Sequence, residues 1–257
     1  MSKIAQAFAG KKALIGFVTG GDPSLEMTEQ LVLAMERAGA DIVEIGIPFS
    51  DPTAEGPVIE AASMRALAAG CTVEKLFALV QKLRERVRIP LLFMTYANPV
   101  FAYGKEAFMR RCREVGIQGV IIPDTPFEEK DEFLDACKAY GIDLISMVAP
   151  TSHERISAIA RESQGFLYCV SSLGVTGVRS SLSDQLAQMV EAAKAVTDTP
   201  CAIGFGVSDP AQARELAQMA DGVIVGSAIV KLVEKYGEQS VPHVEAFVRS
   251  LREALDA

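Results

Sequence analysis

The sequence predicts an α/β protein: a single (β/α)8 barrel (a TIM barrel) over residues 1–257, with an extra N-terminal helix. Eight short runs of apolar and β-branched residues alternate with stretches of helical periodicity, which is the pattern of a parallel barrel. No linker rich in Pro, Gly or Ser divides the chain, and 257 residues is a common length for one such barrel. A doubly wound open sheet is the alternative, and eight units without a domain break favour the barrel.

The predicted strands are short, and several are almost entirely apolar, as expected for parallel strands buried on both faces. They are Ala13–Val18, Asp41–Ile47, Pro90–Tyr96, Gly119–Pro123, Asp143–Val148, Phe166–Ser171, Cys201–Gly206 and Gly222–Gly226. Ser2–Ala9 precedes the first strand and is predicted to form the extra helix, which closes the bottom of the barrel.

The predicted helices between the strands have amphipathic spacing and recognisable end signals. Leu25–Ala38 carries apolar residues at helical intervals and stops at Gly39. Gly116 and Gly141 follow two further helical stretches, and glycine just past the last turn is a common helix stop. Asp209 precedes a proline that the first turn of a helix tolerates, so a helix is predicted to begin there.

Composition excludes several classes of function. The formal net charge is −8, from 25 Lys and Arg against 33 Asp and Glu, and such an acidic chain repels nucleic acids. No uncharged apolar run reaches 18 residues, so no membrane span is expected. The first dozen residues lack the apolar stretch of a signal peptide, and the five cysteines form no CxxC motif. These features predict a cytoplasmic protein with reduced thiols.

Two of the units are longer than the others, and each contains a polar segment after its strand. Phe49–Pro57 follows the second strand and Ser171–Ser183 follows the sixth. Loops after the strands build the active sites of barrel enzymes. We expect these segments to be lids or partner-binding surfaces, and the alternative is that they are tolerated surface insertions.

Glu44 lies in the middle of the second predicted strand, where a carboxylate is costly to bury unless it is paired or protonated. If it points into the barrel near the top, it is a candidate general acid–base group with a raised pKa. The alternative is a structural carboxylate that pairs with a Lys or Arg of a neighbouring element. Glu55 follows in a loop, where it is either a solvated charge or a second carboxylate of the same site.

Glycines recur where the last three strands end, which is a recurrent place for phosphate sites in barrels. They lie in Gly174-Val175-Thr176-Gly177, in Gly204-Phe205-Gly206 and in Gly226-Ser227. Glycine lets backbone N–H groups approach an anion, and the short helix predicted after Ser227 adds a favourable N-terminus. We expect a small phosphomonoester to bind there, although turns alone also require glycine.

The residues that several other types of enzyme require are absent from the sequence. No lysine lies in or directly after any predicted strand, which argues against a Schiff-base aldolase. His153 and His243 are far apart in the sequence and have no cluster of possible co-ligands beside them, so no metal site is predicted. No GxGxxG motif follows the first strand, so a dinucleotide cofactor has no support.

The motifs taken together resemble the tryptophan synthase α subunit family over essentially the whole chain. The specific motif is Glu44-Ile45-Gly46-Ile47-Pro48-Phe49-Ser50-Asp51-Pro52 followed by Gly56-Pro57. It is joined by Phe17-Val18-Thr19 with Gly21-Asp22-Pro23, Tyr96-Ala97-Asn98-Pro99, Pro123-Asp124 and the three glycine motifs. The resemblance implies a lyase of tryptophan biosynthesis that cleaves indole-3-glycerol phosphate to indole and glyceraldehyde 3-phosphate.

The resemblance also implies roles for individual residues. Glu44 takes the position of the catalytic acid–base group that protonates indole C3, and Glu55 takes the position of a second carboxylate that is usually Asp in relatives. Tyr168 matches a tyrosine near the catalytic glutamate. The substrate-binding positions of the family correspond to Phe17 and Phe205 for indole, and to Thr176, Gly177, Gly206, Gly226 and Ser227 near phosphate.

The family works as an αββα heterotetramer, so a β-subunit partner is implied, with Asp51 and Pro52 at the interface. Pyridoxal phosphate belongs to that partner, and no cofactor is expected in this chain. Two alternatives stay open: a stand-alone indole-glycerol-phosphate lyase, and a partner of the β subunit that Glu55 has weakened catalytically. An isomerase of related sugar phosphates is a more distant one.

Overall fold

The computed structural model describes residues 2–150, 153–170, 179–204 and 206–257, without the side chains of residues 179–183. Within these ranges, nine strand segments form one parallel sheet. The segments are β1 (Ala13–Thr19), β2 (Ile42–Gly46), β3 (Leu91–Met94), β4 (Gly119–Ile121), β5 (Asp143–Leu144), β6 (Ser146–Val148), β7 (Leu167–Val170), β8 (Cys201–Gly204) and β9 (Gly222–Val225).

The sheet closes into the predicted barrel. Its strand order is β5-β4-β3-β2-β1-β9-β8-β7-β6, and β5 and β6 are consecutive parts of one predicted strand. Ile145 lies between them, and its N–H donates to the carbonyl oxygen of Val120 at 2.9 Å. One interrupted strand therefore pairs with β4 through its first half and with β7 through its second half. The eight-strand prediction is confirmed, with the fifth strand split in two.

Helices surround the barrel. They are α1 (Lys3–Gln6), α2 (Leu25–Arg37), α3 (Pro57–Ala68), α4 (Val73–Leu83), α5 (Ala97–Tyr103), α6 (Lys105–Val115), α7 (Asp131–Tyr140), α8 (His153–Glu162), α9 (Arg179–Lys194), α10 (Pro210–Met219), α11 (Ser227–Tyr236) and α12 (Ser240–Asp256). Short 3-10 helices cover Phe127–Glu129 and Gly237–Gln239. No helix in the described ranges is long and apolar enough to cross a membrane.

Local sequence accounts for several helix ends. The helix predicted near Pro210 is confirmed as α10. The side chain of Asp209 caps it by accepting a hydrogen bond from the N–H of Gln212 at 3.0 Å. Gly116 and Gly141 end α6 and α7 in the left-handed conformation that glycine adopts without strain. The second unit owes part of its length to two helices, α3 and α4, in addition to its loop.

The barrel interior is filled by side chains that alternate along each strand. One apolar cluster contains Ile15, Ile42, Leu92 and Ile224, which come from β1, β2, β3 and β9. Ile4 and Phe8, from α1 and the turn after it, join this cluster from the amino end of the strands. The extra helix therefore closes the bottom of the barrel, as predicted. A larger apolar layer separates the strands from the outer helices.

Candidate active site

Glu44 lies in the middle of β2 and is fully buried. Neither of its carboxylate oxygens has a hydrogen-bond partner in the described part of the chain, which excludes the salt bridge of the structural alternative there. Burial raises the pKa of this carboxyl group from 4.5 to about 8, because the charged form loses its hydration. At neutral pH the group therefore holds a proton that it can transfer.

Aromatic rings lie beside this carboxyl group. Phe17 on β1 is the register partner of Glu44. Burial raises the pKa of Tyr168 on β7, and the charge of Glu44 raises it further. A Cβ at Gly46 would lie 2.6 Å from Cζ of Phe17, and one at Gly204 would lie 2.6 Å from the hydroxyl oxygen of Tyr168. These two glycines therefore make room for aromatic rings, a role that the motif reading of Gly204 as an anion contact had missed.

Glu55 lies in the loop before α3, and one of its carboxylate oxygens is buried without a hydrogen-bond partner among the described residues. Burial, with a smaller contribution from Glu60, raises its pKa to about 7. The hydroxyl oxygen of Tyr96 accepts a hydrogen bond from the N–H of Ala54 at 3.2 Å. The ring of Tyr96 also packs on Phe49 at 5.3 Å, so this tyrosine holds the loop that carries Glu55.

The predicted phosphate positions on the last two units lie at the same end of the barrel. Gly226 follows β9 directly, and Ser227 is the first residue of α11, so a helix N-terminus faces this end. Gly206 has a φ of +84° and no atom within 4 Å of where a Cβ would stand. Its backbone conformation, rather than space, is the reason for glycine there.

The remaining predicted site residues are either in the loop after β2 or outside the described residues. Asp51 is exposed and Pro52 half-buried in the loop after β2, where a partner surface is predicted. Phe205, Thr176 and Gly177 lie outside the described residues. In the described ranges, no group of three or more His, Cys, Asp or Glu side chains is arranged to hold a metal ion.

Sequence reasoning missed two supports of the site. One is the hydroxyl of Tyr96 described above. The other is Asp22, which follows β1 and accepts two hydrogen bonds of 2.9 Å from the guanidinium of Arg65 on α3. Tyr96 and Asp22 are distant in sequence from the groups they contact, so the sequence did not show these contacts. The only hint in the sequence was a polar side chain near the end of a predicted strand.

Comparisons with known proteins show the family of the chain. The family model described as tryptophan synthase alpha chain matches residues 4–256. The chain is 51% identical over 245 residues to the tryptophan synthase alpha chain of Alkaliphilus metalliredigens, covering 95% of this chain and 92% of that protein. It is 46% identical over 257 residues to that of Lacticaseibacillus casei, covering 100% and 97%.

Solved structures give the same result. The tryptophan synthase subunit alpha of Legionella pneumophila superposes with a TM-score of 0.91 at 34% identity, over 100% of this chain and 99% of that one. A chain of Mycobacterium tuberculosis tryptophan synthase superposes with a TM-score of 0.89 at 33% identity, over 99% and 100%. The chain belongs to the tryptophan synthase α chain family.

Proposed function

We propose that Glu44 is the acid–base group with which this lyase cleaves indole-3-glycerol phosphate to indole and glyceraldehyde 3-phosphate. The observation that carries the proposal is the buried carboxyl group of Glu44, unpaired among the described residues, with its pKa raised to about 8. A group with such a pKa is an efficient proton donor near neutral pH. The family assignment supplies the substrate, and the site supplies the proton donor.

The different pKa values of the two carboxyl groups suit them to different roles. Near neutral pH Glu44 is mainly protonated, whereas Glu55, with a pKa of about 7, has a larger ionised fraction. We assign to Glu44 the proton that adds to C3 of the indole ring. We assign to the Glu55 carboxylate a hydrogen bond from the indole N–H, which stabilises the positive charge that develops on the ring.

Protonation turns the ring into a leaving group. The bond between C3 and the glycerol chain breaks, and its electron pair returns to the ring to give indole. The adjacent hydroxyl loses its proton and becomes the aldehyde of glyceraldehyde 3-phosphate. The Glu44 carboxylate, which has given up its proton, is the base that we assign to this step, so the group is regenerated.

The remaining residues bind and orient the substrate. Phe17 and Phe205 are assigned to the indole ring, and Tyr168 to the surroundings of Glu44. Thr176, Gly177, Gly206, Gly226 and Ser227 are assigned to the phosphate group at the end of the last three barrel strands. Support for the phosphate position comes from the N-terminus of α11, which favours negative charge.

We further propose that a tryptophan synthase β subunit is the partner, with Asp51 and Pro52 at the contact, in the cytoplasm. Pyridoxal phosphate would then be the cofactor of that partner, which receives the indole. The exposed position of Asp51 and the half-buried position of Pro52 beside the site suit such a contact. Release of indole that does not respond to an added β subunit would favour a stand-alone enzyme instead.

The deciding experiment measures indole release from indole-3-glycerol phosphate by Glu44→Gln, with and without β subunit. We expect kcat to fall by about 100- to 10,000-fold, the range of a lost general acid. Asp143→Asn is the matched control, because Asp143 also has a raised pKa and a buried unpartnered oxygen but lies at the amino end of the barrel. Near-normal turnover by Glu44→Gln would overturn the assignment.

A further inference from the structure

Thr19 is the last residue of β1, and its side-chain hydroxyl has no hydrogen-bond partner among the described residues. The residue is only 3% exposed, so water does not readily compensate the hydroxyl. A buried polar group without a partner destabilises the fold and is uncommon in native proteins. The hydroxyl of Thr19 therefore requires an explanation other than stability of the fold.

The direction of the Thr19 side chain follows from its strand. Ala13 and Ile15 belong to the cluster that fills the barrel interior, and alternate residues of a strand share a face. Thr19 therefore faces inward, as Phe17 does. It pairs in register with Gly46, two residues beyond Glu44, and so lies one inward-facing layer closer to the carboxyl end of the barrel.

The position of β1 between its neighbours indicates what this hydroxyl meets. β1 pairs with β2, which carries Glu44, on one side and with β9, which leads to Gly226, on the other. A Cβ at Gly226 would lie 3.5 Å from Cβ of Phe17, so the chain that leaves β9 is close to the inward-facing side of β1. A substrate with its ring at Glu44 and its phosphate at α11 must lay its glycerol chain across the end of β1.

We propose that the hydroxyl of Thr19 binds a hydroxyl group of the substrate's glycerol chain. The hydroxyl can both donate and accept a hydrogen bond, which suits an alcohol as its ligand. The proposal rests on the proposed positions of the ring and the phosphate. It makes Thr19 a substrate-binding residue that distinguishes a glycerol chain from a plain alkyl chain.

The test compares two ligands and two residues. One ligand is indole-3-glycerol phosphate, and the other is indole-3-propanol phosphate, which keeps the ring and the phosphate but lacks the chain hydroxyls. Thr19→Val replaces the hydroxyl by a methyl group of similar shape. Ser240→Ala is the matched control, because the hydroxyl of Ser240 is also buried without a partner in the described chain but lies at the start of α12.

Binding is measured by titration in a Glu44→Gln background, where the substrate is not consumed. We expect Thr19→Val to weaken binding of indole-3-glycerol phosphate by about 10-fold, the value of a lost hydrogen bond, and to change binding of indole-3-propanol phosphate by less than about 2-fold. Ser240→Ala should change neither. With Glu44 restored, Thr19→Val should also lower kcat/KM, and Thr19→Ser should keep most of it.

Three outcomes would overturn the proposal. Equal losses for both ligands would mean that Thr19 acts through packing, and no loss for either would mean that it does not touch the substrate. A Thr19→Ser variant that loses the preference for the hydroxylated ligand would show that the hydroxyl is not the cause. Failure of the proposed function is separate, since it would appear as turnover by Glu44→Gln with Thr19 intact.

Discussion

The two ends of the barrel differ in whether their polar side chains have hydrogen-bond partners. At the amino end, Asp41 precedes β2, accepts hydrogen bonds from the N–H of Leu14 at 2.9 Å and from Arg252 at 3.1 Å, and also pairs with Lys11. Asp221, which is partly exposed, precedes β9 and pairs with Lys194 at 2.6 Å and with the N–H of Cys201 at 2.9 Å.

At the carboxyl end, the described structure leaves the corresponding groups unpaired. Both oxygens of Glu44, one oxygen of Glu55 and the hydroxyl of Thr19 are buried without partners among the described residues. Pairing at one end stabilises the fold, whereas the unpaired groups at the other end cost stability and are the groups that we propose to act on the substrate. Two described residues at the amino end depart from this contrast. Asp143 has one unpartnered oxygen and a pKa that burial raises, and Nε of Arg252 is buried without a hydrogen-bond partner among the described residues.

The largest effect on stability should come from breaking a paired group at the amino end. Asp41→Ala removes the carboxylate that accepts from the N–H of Leu14 and from Nη1 of Arg252, a residue whose side chain is 14% exposed. We expect the free energy of unfolding to fall by about 3–5 kcal/mol, as for other broken buried ion pairs. Urea denaturation checks this, with the exposed Asp135→Ala as control at below about 0.5 kcal/mol. Equal effects of the two variants would contradict the comparison.

An unpaired carboxyl group at the other end should give a pH-dependent effect of opposite sign. Folded Glu44 keeps its proton to about pH 8, whereas the unfolded chain loses it near pH 4.5. Between these values the folded state binds more protons, so wild-type stability falls as the pH rises. Glu44→Gln lacks this loss and should gain on the order of a few kcal/mol relative to wild type between pH 4.5 and pH 8.

Denaturation of both proteins at pH 4.5, 6 and 8.5 measures this difference. Below about pH 4.5 both states of the wild-type chain are protonated at Glu44, so the relative stability of the variant should no longer change. A stability difference that is independent of pH would show that the Glu44 carboxyl group titrates normally in the folded protein.

A smaller effect should separate substrate binding from backbone strain. Gly206→Ala and Gly141→Ala both place a side chain at positive φ, +84° and +65°, in open space. We expect each to cost about 1 kcal/mol or somewhat more of stability. Only Gly206→Ala should raise KM for indole-3-glycerol phosphate, by about 10-fold, because it lies where the phosphate is proposed to bind. Steady-state kinetics decides this, and an equal KM for both variants would remove Gly206 from the phosphate site.

The smallest change should come from Glu55→Asp. The substitution keeps the carboxylate and restores the residue that relatives usually carry, so we expect kcat to stay within about 3-fold of wild type or to rise. The shorter Asp side chain also moves the carboxylate, and a shift of ~1 Å at a reacting group can cost ~100-fold in rate. Indole release decides between them. A large loss would mean that the loop held by Tyr96 is adapted to the longer side chain.

Much of the fold was predictable from the sequence because its signals are local. Apolar runs predicted the strands, and glycine stops predicted where α6 and α7 end. The break at Ile145 was not predictable, because it depends on which neighbouring strand each half of the segment pairs with. The motif around Glu44 singled out the catalytic candidate for the same local reason, since a carboxylate inside an apolar run is visible in the sequence.

The sequence by itself determined the barrel, the family resemblance and the identity of the two carboxylates. Only the tertiary structure decided that Glu44 has no partner among the described residues, that Gly46 and Gly204 make room for Phe17 and Tyr168, and that Thr19 is left unpaired. The physical reason is that burial, desolvation and hydrogen bonding depend on residues brought together from distant strands. A one-dimensional pattern identifies a polar group, whereas its pKa and its partners are set by the three-dimensional surroundings.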